Sequence, residues 1–199
     1  CKVKLSEIIL MKNEIESSLK ESISIKTELL SNSVDSIIKI ANILVEAFRT
    51  GHSLYLMGNG GSAADAQHIS GELVGRFKKN RKSLPALALT TDTSVLTAIA
   101  NDFGYDKCFE RQLDAFVKDG DVVIGLSTSG NSLSIINAAL VAKRKGAMTI
   151  AFTGKGGGKL KDNVDVCLEI PSVDTARIQE CHITIGHILC SIIEKELFG

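Results

Sequence analysis

From residue 53 onward, short apolar runs alternate with stretches of helical spacing, and that alternation leaves few folds open. The strand-like runs are 53–57, 86–90, 121–126, 147–152 and 165–169. Between and after them, apolar residues recur near 3.6-residue spacing over 62–75, 93–100, 106–118, 132–145 and 174–197. Gly104, Gly120, Gly130 and Gly146 punctuate the changes. Strands that are apolar throughout and alternate with helices predict a parallel sheet covered on both faces. In such sheets ligands gather outside the carboxyl ends of the strands.

Ahead of this region, 11–30 and 33–49 also carry helical spacing, as in Ile15, Leu19, Ile23 and in Ile37, Ile40, Leu44, Phe48. Ser31-Asn32-Ser33 divides them and offers a cap to the second helix, and Gly51 ends it. The spacing predicts an N-terminal helical hairpin over 11–50 with two apolar faces, one of them a surface for oligomerisation. Residues 1–10 are set aside as a remnant or a disordered start, and 11–199 as one domain whose α/β core is 51–199.

Charge narrows the partners. Lys plus Arg and Asp plus Glu both total 23, so the formal net charge is zero. The one basic run, Lys78-Lys79-Asn80-Arg81-Lys82, is short and reads as a solvated loop, which argues against a general nucleic-acid binder. Five cysteines without a CxxC spacing fit reduced, cytosolic thiols, with Cys181 and Cys190 packed inside a helix. No apolar stretch reaches the roughly 18 residues needed to span a bilayer.

Residues 58–72, GNGGSAADAQHISGE, hold the most chemistry. A strand runs into glycines that let backbone approach a ligand, and a helix starts with free N–H groups that suit an anion. No Lys follows, so this is not a P-loop; Ala63 stands where GxGxxG needs its third glycine. His68 and Glu72 are four residues apart and share a helix face, which Arg76 extends by four more. Asp65 reads as a charge favoured by the helix dipole.

A second strand–turn–helix repeats the pattern at Ser127-Thr128-Ser129-Gly130-Asn131-Ser132. Three hydroxyls, a glycine and a helix start provide donors for a phosphate monoester without a cationic side chain. Ser132 by itself reads equally well as an N-cap and as a phosphate donor. Together the turns at 57–62 and 126–132 read as two halves of one anion site. The last helix carries Gln179, His182 and His187. His182 reads as a packed core histidine.

At GNGGSAADAQHISGEL, LTTDTSVLTAIANDFGY, STSGNS and TARIQECHITIGHIL the chain resembles the phosphoheptose isomerases of the sugar-isomerase (SIS) fold. The resemblance runs in order over residues 50 to 199. It implies a three-layer α/β sandwich with a five-stranded parallel sheet, assembled as a cytoplasmic homotetramer. It also implies interconversion of sedoheptulose 7-phosphate and D-glycero-D-manno-heptose 7-phosphate through an enediolate. That reaction opens bacterial heptose synthesis for lipopolysaccharide core or capsule.

Carried over, Asn59, Gly60, Gly61 and Ser62 line the substrate, and Asn101 and Asp102 meet sugar hydroxyls. Ser127, Thr128, Ser129 and Ser132 hold the phosphate, Glu72 and His187 are the acid/base pair, and Gln179 also touches substrate. His68, Glu72, Gln179 and His187 are the implied zinc ligands, one ion per subunit. Glu72 would carry the carbon-bound proton and His187 would serve the oxygens. Gln179 and His187 stand eight residues apart, about 12 Å of straight helix, so they must reach toward each other or the helix must bend, for which Gly186 is a candidate. Two other functions stay open: a non-catalytic adaptor like the DnaA initiator-associating protein, and an isomerase of a related sugar phosphate.

Overall fold

A computed structural model describes residues 5–199. The five expected strands form one sheet: β1 (Leu54–Gly58), β2 (Ala86–Ala88), β3 (Val122–Ser127), β4 (Met148–Thr153) and β5 (Val166–Glu169). All are parallel, in the order β2-β1-β3-β4-β5. Seven α-helices accompany them: α1 (Leu5–Asn32), α2 (Val34–Arg49), α3 (Gly61–Val74), α4 (Thr93–Phe103), α5 (Cys108–Phe116), α6 (Leu133–Arg144) and α7 (Thr175–Phe198). Short 3-10 turns at Tyr105–Lys107 and Gly158–Asn163 complete the described residues. Of the segment set aside at 1–10, residues 1–4 lie outside those described and 5–10 begin α1.

The sheet is apolar on both sides because both sides are covered. Leu54, Leu56, Ile124, Leu126 and Phe152 face a core closed by α2, α3 and α7. Met57, Val123 and Ala151 face a second core closed by α5 and α6. Full burial of such a side chain stabilises by about 1.5–3 kcal/mol, so the layers are held chiefly by these two cores. Cys181 and Cys190 are buried within α7, as expected.

The two N-terminal helices meet at one residue. Ser33 makes no side-chain cap; its N–H donates to Leu29 O and its carbonyl accepts from Ile37 N. The turn ladder thus passes through the junction instead of stopping for a loop. Arg177 at the start of α7 donates to Ser18 O, and Ser22 donates to Glu180, whereas Arg49 reaches Glu196 at the far end of α7. Those two ends stand about 28 Å apart by helical rise. Accordingly α2 continues past α7 instead of folding back along α1, and Ile8, Ile9, Leu10, Met11, Ile15, Leu19, Ile23 and Leu30 stay exposed along α1.

Strand order decides where a site can form. β1 and β3 are neighbours, with Gly58 paired to Leu126, yet α3 leaves β1 for one face and α6 leaves β3 for the other. This is the switch point at which open α/β sheets present a crevice.

Candidate active site

At the switch point the two turns are joined through side chains. Asn59 Nδ2 donates to Ser134 Oγ at 3.1 Å, tying the turn after β1 to the first turn of α6. Asn59 Oδ1 in turn accepts from the Tyr105 hydroxyl at 2.8 Å. Tyr105 closes the run LTTDTSVLTAIANDFGY but has no role assigned from sequence, and it reaches Asn59 across 46 residues.

In the second turn, Ser127 is buried, Thr128 and Ser132 are half-buried, and Ser129 is exposed. Ser127 Oγ donates to Ser132 Oγ at 3.3 Å, and Ser132 makes no capping bond to α6. The hydroxyl that would otherwise only cap the helix is therefore turned to its neighbour in the loop. Behind this turn lies a glycine-rich loop that sequence reasoning missed. Gly154 N donates to Thr128 O and Leu160 N to Gly130 O, while Lys159 N donates to Asn131 Oδ1. Gly130 sits at φ +63°, and a Cβ there would fall 2.0 Å from Gly157 O. The signal available was the run Gly156-Gly157-Gly158 itself, all three at positive φ.

α3 and α7 bring the charged candidates together. They pack closely at Gly186, where any Cβ would meet Ile69 Cδ1 at 2.7 Å. α7 is uninterrupted through Gly186, and this glycine serves the close approach of the two helices. The neighbouring His187 points Nε2 at His68 Nε2, 3.1 Å away, and His68 Nε2 lies 3.1 Å from Glu72 Oε1. One ligand atom from each of His68, Glu72 and His187 lies within 4.8 Å of the others. Two imidazole nitrogens and a carboxylate oxygen at such spacing suit Zn²⁺ and leave a coordination position open.

The remaining candidates divide. Gln179 lies against Gly61, its Nε2 2.6 Å from where a Cβ would stand, and makes no hydrogen bond to the three converging residues. Gly60 and Gly61 are exposed, and Ser62 is buried at the start of α3. Asn101 donates to Asp102 at 2.8 Å, both exposed in α4, and among the described residues neither bonds to the loops or to the histidines.

Four expectations need correction or sharpening. Asp65 is the fifth residue of α3, past its first turn; its Oδ2 is buried without a partner, and burial pushes the carboxyl above its ordinary range. Arg76 does not extend the Glu72 face, because α3 stops at Val74. Arg81 is not solvated: its side chain is 2 % exposed and pairs with Glu194. His182 is a core residue as expected, fully buried, its Nε2–H donating to Thr153 O at 3.3 Å, and burial pulls its pKa down to about 4.

Comparison with known proteins finds relatives along most of the chain. A family model described as SIS domain matches residues 19–154. A phosphoheptose isomerase of Roseiflexus sp. (strain RS-1) is 53 % identical over 180 residues, 90 % of this chain and 91 % of that one. One from Aquifex aeolicus is 49 % identical over 93 % of this chain and 97 % of its own. Among solved structures, the phosphoheptose isomerase of Neisseria gonorrhoeae superposes with a TM-score of 0.89 at 40 % identity, covering 93 % of this chain and 99 % of that one. That of Francisella tularensis gives 0.90 at 34 % identity over 93 % and 98 %.

Proposed function

The chain belongs to the SIS-domain family, among its phosphoheptose isomerases, and from that premise we propose how its residues interconvert sedoheptulose 7-phosphate and D-glycero-D-manno-heptose 7-phosphate. The observation that carries the reading is the convergence of His68, Glu72 and His187, the first two on the helix that starts at the glycine-rich turn after β1.

Ser127, Thr128, Ser129 and Ser132 hold the phosphate with hydroxyl and backbone donors at the start of α6, where the helix dipole favours an anion. Asn59, Gly60, Gly61, Ser62 and Gln179 line the chain of the sugar, and Asn101 and Asp102 take its hydroxyls. Glu72 removes the proton on the carbon next to the carbonyl and returns it to the neighbouring carbon. His187 gives and takes the proton on the oxygens, so the enediolate forms and collapses without releasing charge to water. His68, Glu72 and His187, with Gln179 as the fourth ligand the resemblance implies, would hold zinc, which would supply a Lewis acid for the carbonyl. A cytoplasmic homotetramer belongs to the same reading, as does supply of heptose to lipopolysaccharide core or capsule.

An adaptor has no chemical use for three converging ligand groups, which favours the enzyme over that alternative. The test is turnover of sedoheptulose 7-phosphate by the purified protein, zinc supplied. Conversion to the aldoheptose phosphate supports the assignment, and none rejects it in favour of another sugar phosphate or an adaptor.

A further inference from the structure

We propose that the buried Arg81–Glu194 ion pair, acting through Phe77, is the positioning element that sets His187 and Glu72 for proton transfer. This rests on the roles assigned above. Arg81 Nε meets Glu194 Oε1 at 3.0 Å, with the two side chains only 2 % and 3 % exposed. Two charges out of water cost several kcal/mol each unless they are richly bonded. Here both are. Glu194 also accepts from the backbone N–H groups of Phe77, Lys78 and Lys79 at 2.9, 2.9 and 3.0 Å.

Arg81 also donates to the last carbonyls of α3 and to its own neighbour. Nη2 donates to Glu72 O at 2.8 Å, and Nη1 to Leu73 O at 2.6 Å and Lys82 O at 3.1 Å. A guanidinium on the last carbonyls of a helix satisfies groups that the helix leaves open and suits its negative dipole end. One ion pair therefore joins α7, the C-terminal turn of α3 and the 77–79 turn.

The last step reaches the chemistry. Phe77, fixed by its N–H on Glu194, lays its ring on the His187 imidazole, with centroids 5.7 Å apart and planes within 22°. The Nε2 edge of that imidazole meets His68, whose Nε2 is 3.1 Å away and whose ring centroid is 4.9 Å away at 65°. Thus His187 has Phe77 on its face and His68 at its Nε2 edge, while Glu72 is carried by the backbone that Arg81 grips. Among the described residues neither Arg81 nor Glu194 makes a hydrogen bond or ion pair to the three converging side chains, so the pair acts through position and not as an acid or base.

The experiment compares wild type with Phe77→Leu, Phe77→Tyr and Glu194→Gln. It measures kcat, KM and melting temperature, together with the imidazole NMR resonances of His187 in histidine-labelled protein. Phe77 is half-buried, so the leucine variant keeps the fold even if Glu194→Gln does not. For Phe77→Leu a fall in kcat of about 10- to 100-fold is expected, with KM within about twofold, as for misplaced catalytic groups. Phe77→Tyr, which keeps the stack, should recover most of it, and the His187 resonances should move in Phe77→Leu but stay in Phe77→Tyr. Wild-type kcat in folded Phe77→Leu, or unmoved His187 resonances, overturns the proposal. If wild type fails to turn over sedoheptulose 7-phosphate, the substrate assignment falls, and the His187 resonances still decide the positioning.

Discussion

His68 and His187 aim their Nε2 atoms at each other across 3.1 Å, although 119 residues separate them in the chain. At that separation both ring nitrogens can bind one cation. Glu72 Oε1 stands 3.1 Å from the same His68 nitrogen, so the shared position is favourable to positive charge.

Zinc binding tests that position without any assay of turnover. The protein should take up about one equivalent per subunit in calorimetry and metal analysis, as expected of a three-donor His/Glu site. His68→Ala should weaken uptake by more than the roughly 10- to 100-fold typical of losing an outer-shell partner. Equal affinity in the variant would remove His68 from the ligand set.

Glu72→Gln and His187→Ala should each lower kcat by about 10²- to 10⁴-fold, the usual contribution of a positioned acid or base. Glu72 is a quarter exposed and His187 is half-buried, so melting temperature and assembly should hold. Retained turnover in either folded variant would dismiss it from the acid/base pair.

The phosphate loop should be sensitive to what lies behind it. Gly130→Ala adds a Cβ 2.0 Å from Gly157 O at a φ of +63°, so one of the two loops must shift. We expect a larger rise in KM than for Ser129→Ala, which removes one exposed hydroxyl. Gly51→Ala is the control: it strains a φ of +83° with no atom in the way, and KM should not change. A Gly130→Ala enzyme with wild-type KM would exclude the loop from substrate binding.

His182 should make stability depend on pH in a defined window. Burial lowers its pKa from 6.5 to about 4, so between those values the unfolded chain binds a proton that the folded chain does not. Stability is complete above about pH 6.5 and is lost as pH falls toward 4, in total on the order of 3 kcal/mol. Denaturant titrations of wild type and His182→Leu should diverge in slope across that window. Parallel curves would show that His182 does not titrate as its burial requires.

Much of the fold could be read in advance because its signals are local. Apolar runs bounded by Gly120 and Gly146 are strands wherever they occur, and all five are found within two residues of the expected ranges. The pairing of His68 with Glu72 follows from helical pitch alone. Periodicity failed where an element's end mattered: α3 stops at Val74, so Arg76 leaves the face that the spacing assigned to it. It also failed where a single residue joined two helices, because the bonds through Ser33 replace the cap its residue type suggests.

By itself, the sequence determined the alternating layers, the two turns that close over the strand ends and the residue types gathered there. Only the tertiary structure decided that His187 meets His68, that Gly157 buttresses Gly130, and that Arg81 is buried against Glu194 in a run that reads as solvated. The reason is physical. Backbone pitch and side-chain polarity act over a few residues and are written in order along the chain. Close packing between α3, α7 and the loops joins residues about 30 to 120 positions apart, and depends on which surfaces fit once the sheet has formed.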